Sequence, residues 1–374
     1  MGQILSAPVT TKHSTEGENK RLMYGASAMQ GWRITMEDAH THILDYNDTG
    51  AAFFGVFDGH GGSNVAKYTS QKLKENVIES DDFKNGNYKE SLRKGFLKID
   101  SDLRQGNVIS LSLFVDKHTL DPEFANEASG CTAIVALLTK DNVLYVSNAG
   151  DSRAIISAHG LAIALSQDHK PSNPKETERI QKAGGHVEFG RVNGNLALSR
   201  ALGDFEFKNA SNLPPEQQAV TADPDITVHT LTEKDEFMVL ACDGIWDCLT
   251  NQEVVNFVRK HIANRASLKE ICEKLMDSCL ADATGASGVG CDNMTVEIVA
   301  FLNGKTKEEW YDSIRESVKA TSPSDITETS IDEENKSYST LTKSESRQYS
   351  ANELKELPNL AAPLVNEDTK EQNN

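Results

Sequence analysis

The fold is decided at residues 53–62, which read Phe-Phe-Gly-Val-Phe-Asp-Gly-His-Gly-Gly. The apolar first half predicts a buried strand. This strand ends at Asp58, so a rigid element holds the carboxylate, and Gly59 lets the backbone approach a ligand with its carbonyl free to coordinate. His60 can transfer protons near neutral pH. The alternative is a plain strand-to-helix turn, in which Asp58 caps the helix that follows.

Three further carboxylates, Asp151, Asp243 and Asp292, repeat this arrangement, because each lies at an end of an apolar strand. If they converge with Asp58, they form a cage of hard oxygen ligands. Histidine and cysteine ligands are sparse, so such a cage favours Mg²⁺ or Mn²⁺ over Zn²⁺. Two such ions activate a water and neutralise a phosphoryl group, and Arg33 is the candidate for bidentate phosphate binding. The pattern therefore predicts a two-metal phosphoryl-transfer site.

Two acidic neighbours, Glu37 and Asp38, follow Arg33 on an extended segment. Adjacent side chains of a flat strand point to opposite faces. Both can serve one site only if a bend or bridging waters intervene. The other interpretation is an exposed acidic pair without a functional role.

The composition of the whole chain limits the classes of function. The chain has 374 residues and a formal net charge of −18, which disfavours nucleic acid or an acidic membrane surface as a target. The cysteines form no Cys-x-x-Cys pair, and most lie in an apolar or helical context, as buried reduced thiols do. No stretch is apolar for long enough to cross a membrane. We therefore expect an intracellular protein with a cytoplasmic and nuclear location.

Residues 22–302 predict a mixed body of strands and helices, and the length of the chain allows one large domain or two smaller ones. Two helices with apolar stripes follow the first strands, at about 62–79 and 87–105. Residues 131–165 then predict an antiparallel meander rather than alternating strands and helices. Residues 168–218 predict a loop-rich excursion from this body.

Both ends of the chain differ from this body. Residues 1–21 are expected to be flexible, and they begin with Met-Gly-Gln-Ile-Leu-Ser, the acceptor pattern for myristoylation of Gly2. One acyl chain would give weak, reversible attachment to a membrane. A last helix is expected at 303–320. Residues 321–374, rich in Ser, Thr and acidic residues, predict a disordered tail.

One position in this tail is a candidate for recruiting a partner. Thr329 is followed by Ser-Ile-Asp-Glu-Glu, an acidic setting that suits an acid-directed kinase. Once phosphorylated, it would resemble the ligands of forkhead-associated domains, which hold phosphothreonine with Arg and polar donors. The alternative is an unmodified tail that only increases solubility.

Seven segments, in this order along the chain, resemble motifs of the type 2C family of metal-dependent protein serine/threonine phosphatases. They are residues 31–38, 57–62, 130–133, 149–153, 198–204, 241–247 and 291–295. The layout is most similar to fungal members with an acidic, Ser/Thr-rich tail. The resemblance implies an α+β fold, a β-sandwich of two antiparallel sheets with helices on both outer faces. It also implies that residues 22–302 form the catalytic domain and that 168–218 are its flap.

The resemblance further implies which residues bind metal. The ligands of two Mg²⁺ or Mn²⁺ ions would be Asp58, which bridges them, the carbonyl of Gly59, Asp243 and Asp292, while Glu37 and Asp38 would act largely through coordinated water. A weaker third ion would be held by Asp151, Asp243 and Asp247.

The implied reaction is direct attack of a metal-bridging hydroxide on phosphoserine or phosphothreonine in proteins. Arg33 would bind the phosphate and His60 would protonate the leaving alkoxide. We expect a monomer that acts on phosphoproteins, including signalling kinases of stress or cell-cycle pathways. Two alternatives are an inactive phosphoprotein-binding relative, which would lack ligand positions that this chain has, and a two-metal nuclease, which the acidic charge opposes.

Overall fold

Two antiparallel sheets form the centre of the protein in the computed structural model, which describes residues 4–104, 129–285 and 288–320. The strand order of the first sheet is β1 (Ile4–Glu18), β2 (Leu22–Arg33), β16 (Met294–Phe301), β15 (Asp235–Ala241), β9 (Arg153–Ala158) and β10 (Leu161–Ala164). The strand order of the second is β14 (Asp225–Thr230), β8 (Val143–Ala149), β7 (Ala133–Leu138), β4 (Ala52–Phe57) and β3 (Ala39–Ile43).

Helices cover the outer face of each sheet. The second sheet carries α1 (Asn64–Ile78) and α3 (Tyr88–Arg104), joined by the short α2 (Asp81–Lys84). The first sheet carries α6 (Asn251–Ala263) and α7 (Leu268–Cys279), and α8 (Lys307–Ala320) packs against α6. The predicted α+β sandwich with helices on both outer faces is therefore confirmed.

The alternation of side chains along the central strands explains this layering. In β4, Phe54 and Val56 belong to the core between the sheets, whereas Phe53 and Phe57 pack with the side chains of α1 and α3. Successive residues of a strand point to opposite faces, so a strand that is covered on both sides is apolar throughout. This is why the stretch at 53–57 has no polar position.

The prediction of a flexible N-terminus is wrong for residues 4–18. They form β1, which pairs antiparallel with β2. The Ser14 hydroxyl donates to Glu273 Oε1 at 2.6 Å, and Lys12 Nζ lies 2.6 Å from Asp277 Oδ1, both on α7. Because β1 is largely polar and exposed, backbone pairing with β2 orders it rather than apolar burial. Gly2 and residues 321–374 lie outside the described residues.

The remaining elements are short. A small sheet has the order β13 (Leu202–Gly203), β6 (Gly130–Cys131) and β5 (Gly59–His60). The excursion at 168–218 contains α4 (Pro174–Lys182) and a hairpin of β11 (Val187–Glu188) and β12 (Arg191–Val192). Sequence reasoning missed α5 (Asp243–Trp246), a single turn directly after β15. In the part of the chain that the structure describes, no helix combines the length and apolar character of a membrane span.

Candidate active site

A cleft of about 420 Å³ lies where the strands of both sheets stop. The second sheet delivers Asp58 after β4 and Asp151 after β8, while the first sheet delivers Asp243 after β15 and Asp292 before β16. All of the predicted site residues except Asp38 and Asp247 line the cleft: Arg33, Glu37, Asp58, Gly59, His60, Asp151, Asp243 and Asp292. The four strand-end carboxylates therefore meet in one cleft, as their positions in the sequence led us to expect.

Three of the carboxylates form a tight group that fits a divalent cation. Oxygens of Asp58, Asp151 and Asp243 all lie within 4.8 Å of one another. Burial, together with repulsion from the neighbouring acids, raises the pKa values of Asp58 and Asp243 well above the ordinary range. A bound cation removes this repulsion, and a set of carboxylate oxygens without His or Cys matches Mg²⁺ or Mn²⁺.

Asp38 is buried beside the cleft but does not line it, and one of its oxygens lacks a hydrogen-bond partner among the described residues. It is buried, and its Oδ2 accepts a hydrogen bond from Thr295 Oγ1 at 2.7 Å. Its Oδ1 is also buried but has no hydrogen-bond partner among the described residues. Burial raises the pKa of Asp38 to about 7. Since buried polar atoms are nearly always satisfied, this oxygen suits a coordinated water or an ion.

Asn293 produces the bend that Glu37 and Asp38 need. Its Nδ2 donates to the carbonyls of Gln30 at 2.8 Å and Thr35 at 3.0 Å, and its Oδ1 accepts from the Glu37 N–H at 2.9 Å. These bonds hold the chain after β2 in a turn, so Glu37 lines the cleft and Asp38 points behind it. Asn293 lies within the motif at 291–295, but the sequence predicts no role for it, because its hydrogen-bond partners are far away in the chain.

Arg33 and Asp292 form an ion pair at the side of the carboxylate group. The Arg33 Nη2 donates to Asp292 Oδ2, and 42% of the arginine side chain stays exposed. Burial opposes the guanidinium charge, but Asp292 and the other acids raise the pKa of Arg33 above its ordinary value. Arg33 therefore has donors beside the cleft for a phosphate. Asp292, in contrast, is not part of the group within 4.8 Å.

The predicted third-ion residues are only partly brought together. Asp151 is buried and ion-paired with Lys170, a residue that no sequence signal singled out. Asp247 follows α5, and its backbone N–H donates to the Asp243 carbonyl at 2.8 Å. Its side chain lines a neighbouring cavity of about 480 Å³ with Arg153 rather than the main cleft.

His60 reaches the cleft from the short strand β5. Its Nε2 lies 2.7 Å from Oδ2 of Asp204 in the flap region. Burial lowers the pKa of an imidazole, but here the hydrogen bond and the charge of Asp204 outweigh it and raise the pKa of His60. The ring is therefore biased toward its protonated form, as a proton donor requires.

Comparison with known proteins defines the class. The family model for protein phosphatase 2C matches residues 22–288. Protein phosphatase 2C homolog 2 of Hypocrea jecorina is 53% identical over 327 residues, which cover 85% of this chain and 71% of that protein. Its namesake in Schizosaccharomyces pombe is 50% identical over 325 residues, 86% of this chain and 84% of that protein.

A solved structure shows the same fold. The crystal structure of a phosphatase from Toxoplasma gondii has a TM-score of 0.64 and 25% sequence identity, and the match covers 79% of this chain and 97% of that one. The fold and these matches thus define the class of the protein as a phosphatase with this β-sandwich fold. The chain belongs to the protein phosphatase 2C family.

Proposed function

We propose that this chain is a metal-dependent protein serine/threonine phosphatase that hydrolyses phosphoserine and phosphothreonine in proteins. The observation that supports it most is the group of Asp58, Asp151 and Asp243, whose oxygens lie within 4.8 Å beside Arg33 and His60 in one cleft. A carboxylate cage next to an arginine and a histidine is the set of groups that phosphate-ester hydrolysis needs.

The carboxylates would hold two Mg²⁺ or Mn²⁺ ions. The ligands would be Asp58, the carbonyl of Gly59, Asp243 and Asp292, with Glu37 and Asp38 in support, and Asp151 and Asp247 would serve a weaker third ion. When bound, such ions lower the pKa of water and offset the negative charge of the phosphoryl group.

The side chains around this cage have separate tasks. Arg33 would bind two phosphate oxygens, for which its planar guanidinium is suited. His60 would give its proton to the leaving oxygen of serine or threonine, a poor leaving group that needs one. Asn293 would keep Glu37 and the segment after Arg33 in place through its three hydrogen bonds.

Phosphate release from a phosphothreonine peptide tests this function. Metal-stripped protein should release no phosphate until Mn²⁺ is added, and Asp243→Asn should lower the rate by about 100-fold or more, because it removes a ligand. The matched control is Asp141→Asn. Asp141 is an exposed carboxylate that precedes β8, at the end of the strand away from the cleft. Turnover without a divalent ion, or full activity of Asp243→Asn at ordinary Mn²⁺, would reject the proposal.

Other expectations about this enzyme stay predictions of the sequence. They are signalling kinases as substrates, myristoylation of Gly2, a forkhead-associated partner for phosphorylated Thr329, a monomeric state, and a cytoplasmic and nuclear location.

A further inference from the structure

The motif at residues 198–204 supplies none of the proposed metal ligands, yet its last residue contacts the proposed proton donor. Asp204 Oδ2 lies 2.7 Å from His60 Nε2. The Asp204 side chain is 3% exposed, whereas His60 is 28% exposed and lines the cleft. Nδ1 of His60 has no hydrogen-bond partner in the described part of the chain, so it is the ring nitrogen that can act in the cleft.

We propose that Asp204 is a positioning residue that fixes the ring orientation and tautomer of His60 for proton transfer from Nδ1. Oδ2 of Asp204 can accept the hydrogen bond that Nε2 donates, so this contact places one ring proton on Nε2. The proton on Nδ1 then passes to the leaving alkoxide oxygen as the phosphorus–oxygen bond breaks, and the ring is left neutral with its Nε2–H still bonded to Asp204. This role rests on the proposed function, because it serves the proton transfer assigned there to His60.

The small sheet β13-β6-β5 brings the two side chains together. Gly130 on β6 pairs with His60 on one side and with Gly203 on the other. A Cβ added at Gly130 would lie 2.6 Å from His60 Nε2 and closer still to Asp204 Oδ2. Any side chain at this position would therefore push the imidazole and the carboxylate apart. Glycine at 130 is what lets Asp204 and His60 meet over the middle strand.

The backbone of Asp204 is held in an unfavourable conformation. Its φ of +49° lies in the left-handed region, which is unfavourable for a residue other than glycine. The Asp204 N–H donates to the Ser129 carbonyl at 3.1 Å. Asp100 accepts from the Gly203 N–H at 2.8 Å and pairs with the buried Lys208. These contacts keep the carboxylate aimed at His60, as expected where strain is maintained for a functional position.

Two substrates separate this role from a purely structural one. A phosphothreonine peptide has a leaving alkoxide that needs a proton, whereas p-nitrophenyl phosphate has a leaving group that does not. With the full chain at saturating Mn²⁺, Asp204→Asn should lower kcat for the peptide about 10–100-fold. KM for the peptide should stay within about 2-fold, and kcat for the aryl ester should fall less than about 3-fold, since substrate binding and unassisted departure do not use His60.

A double variant tests whether Asp204 acts through His60. If it does, His60→Gln combined with Asp204→Asn should be no slower on the peptide than His60→Gln alone, because residues that act as a unit are not additive. Gly130→Ala leaves both groups in the chain and inserts a methyl between them, so it should reproduce the selective loss of Asp204→Asn. The control is Glu206→Gln, which removes an exposed carboxylate two residues further on and should behave as wild type.

The outcomes distinguish failure of this inference from failure of the proposed function. Equal losses on peptide and aryl ester, or additive losses in the double variant, would overturn the role of Asp204 while the phosphatase activity stands. A wild-type protein that releases no phosphate with Mn²⁺ would instead reject the phosphatase function, and the role of Asp204 with it.

Discussion

At the scale of single residues, the acidic residues of the cleft could be predicted from the sequence, and their hydrogen-bond and ion-pair partners could not. Asp58 and Asp243 stand out in the sequence because each ends an apolar strand and is followed by glycine. Lys170 pairs with Asp151, and Asn293 bonds Gln30 across the fold. Such contacts join residues that are unrelated by any local pattern, so only the folded chain reveals them.

The crowding of carboxylates predicts an effect of Asp243→Asn on stability. Without metal, Asp58, Asp151 and Asp243 repel one another, so removing one charge should raise Tm by about 2–4 °C for each kcal/mol of repulsion relieved. With Mn²⁺, wild type should gain more stability than the variant, because it binds the ion more tightly. Differential scanning calorimetry with and without Mn²⁺ measures both effects, with Asp141→Asn as the control. A lower metal-free Tm for Asp243→Asn, with an equal Mn²⁺ shift, would count against the cage.

At the scale of elements, apolar periodicity identified most helices and strands. The apolar stripe predicted for the helix at 87–105 is formed by Leu92, Phe96, Ile99 and Leu103, which are buried in α3. The strand β1 escaped notice because its polar residues show no stripe and its order comes from pairing with β2. The helix α5 escaped because four residues are too few to show a helical period.

The two sheets are also linked by an ionisable contact that predicts a pH dependence. Glu297 on β16 is fully buried, its Oε1 lies 3.3 Å from His42 Nδ1 on β3, and burial raises its pKa to about 7. In the unfolded chain this carboxyl ionises near its ordinary pKa of 4.5. Its contribution to the free energy of unfolding is therefore fully present below pH 4.5 and is lost as pH rises through about 7.

Glu297→Gln should remove this loss because an amide does not titrate. Between pH 5 and 8, the free energy of unfolding of wild type should fall relative to that of the variant by about 2.5 kcal/mol. Urea unfolding across this range measures the difference. Parallel pH profiles for the two proteins would show that Glu297 is not held protonated in the fold.

At the scale of the whole molecule, the sandwich was expected from the resemblance, since periodicity cannot give strand order. The first sheet pairs β2 with β16, from Met29 opposite Met294 to Leu22 opposite Phe301, and these strands lie at opposite ends of the catalytic body. Pairing over such a separation depends on the packing of all the intervening elements. The local sequence near either strand holds no sign of its neighbour.

We predict that the segment after α8 can be deleted without loss of phosphatase activity. Deleting residues 321–374 should leave kcat/KM on a phosphothreonine peptide within about 2-fold of wild type, because a segment of this composition adds no apolar core. The matched control deletes residues 307–374 and so also removes the buried Trp310 and Ile314 of α8, which should destabilise the protein by about 3 kcal/mol or more. A large loss of turnover on removing 321–374 alone would show that the tail takes part in catalysis.

The proposed function requires that the cleft between the strand ends bind divalent metal ions. An anomalous difference map from crystals grown with Mn²⁺ tests it most directly, because it locates the ion without relying on activity. We expect anomalous peaks between the carboxylates of Asp58 and Asp243, on the side of the cleft where Asp292 lies. A map with no peak at these carboxylates, from crystals grown at millimolar Mn²⁺, would contradict it.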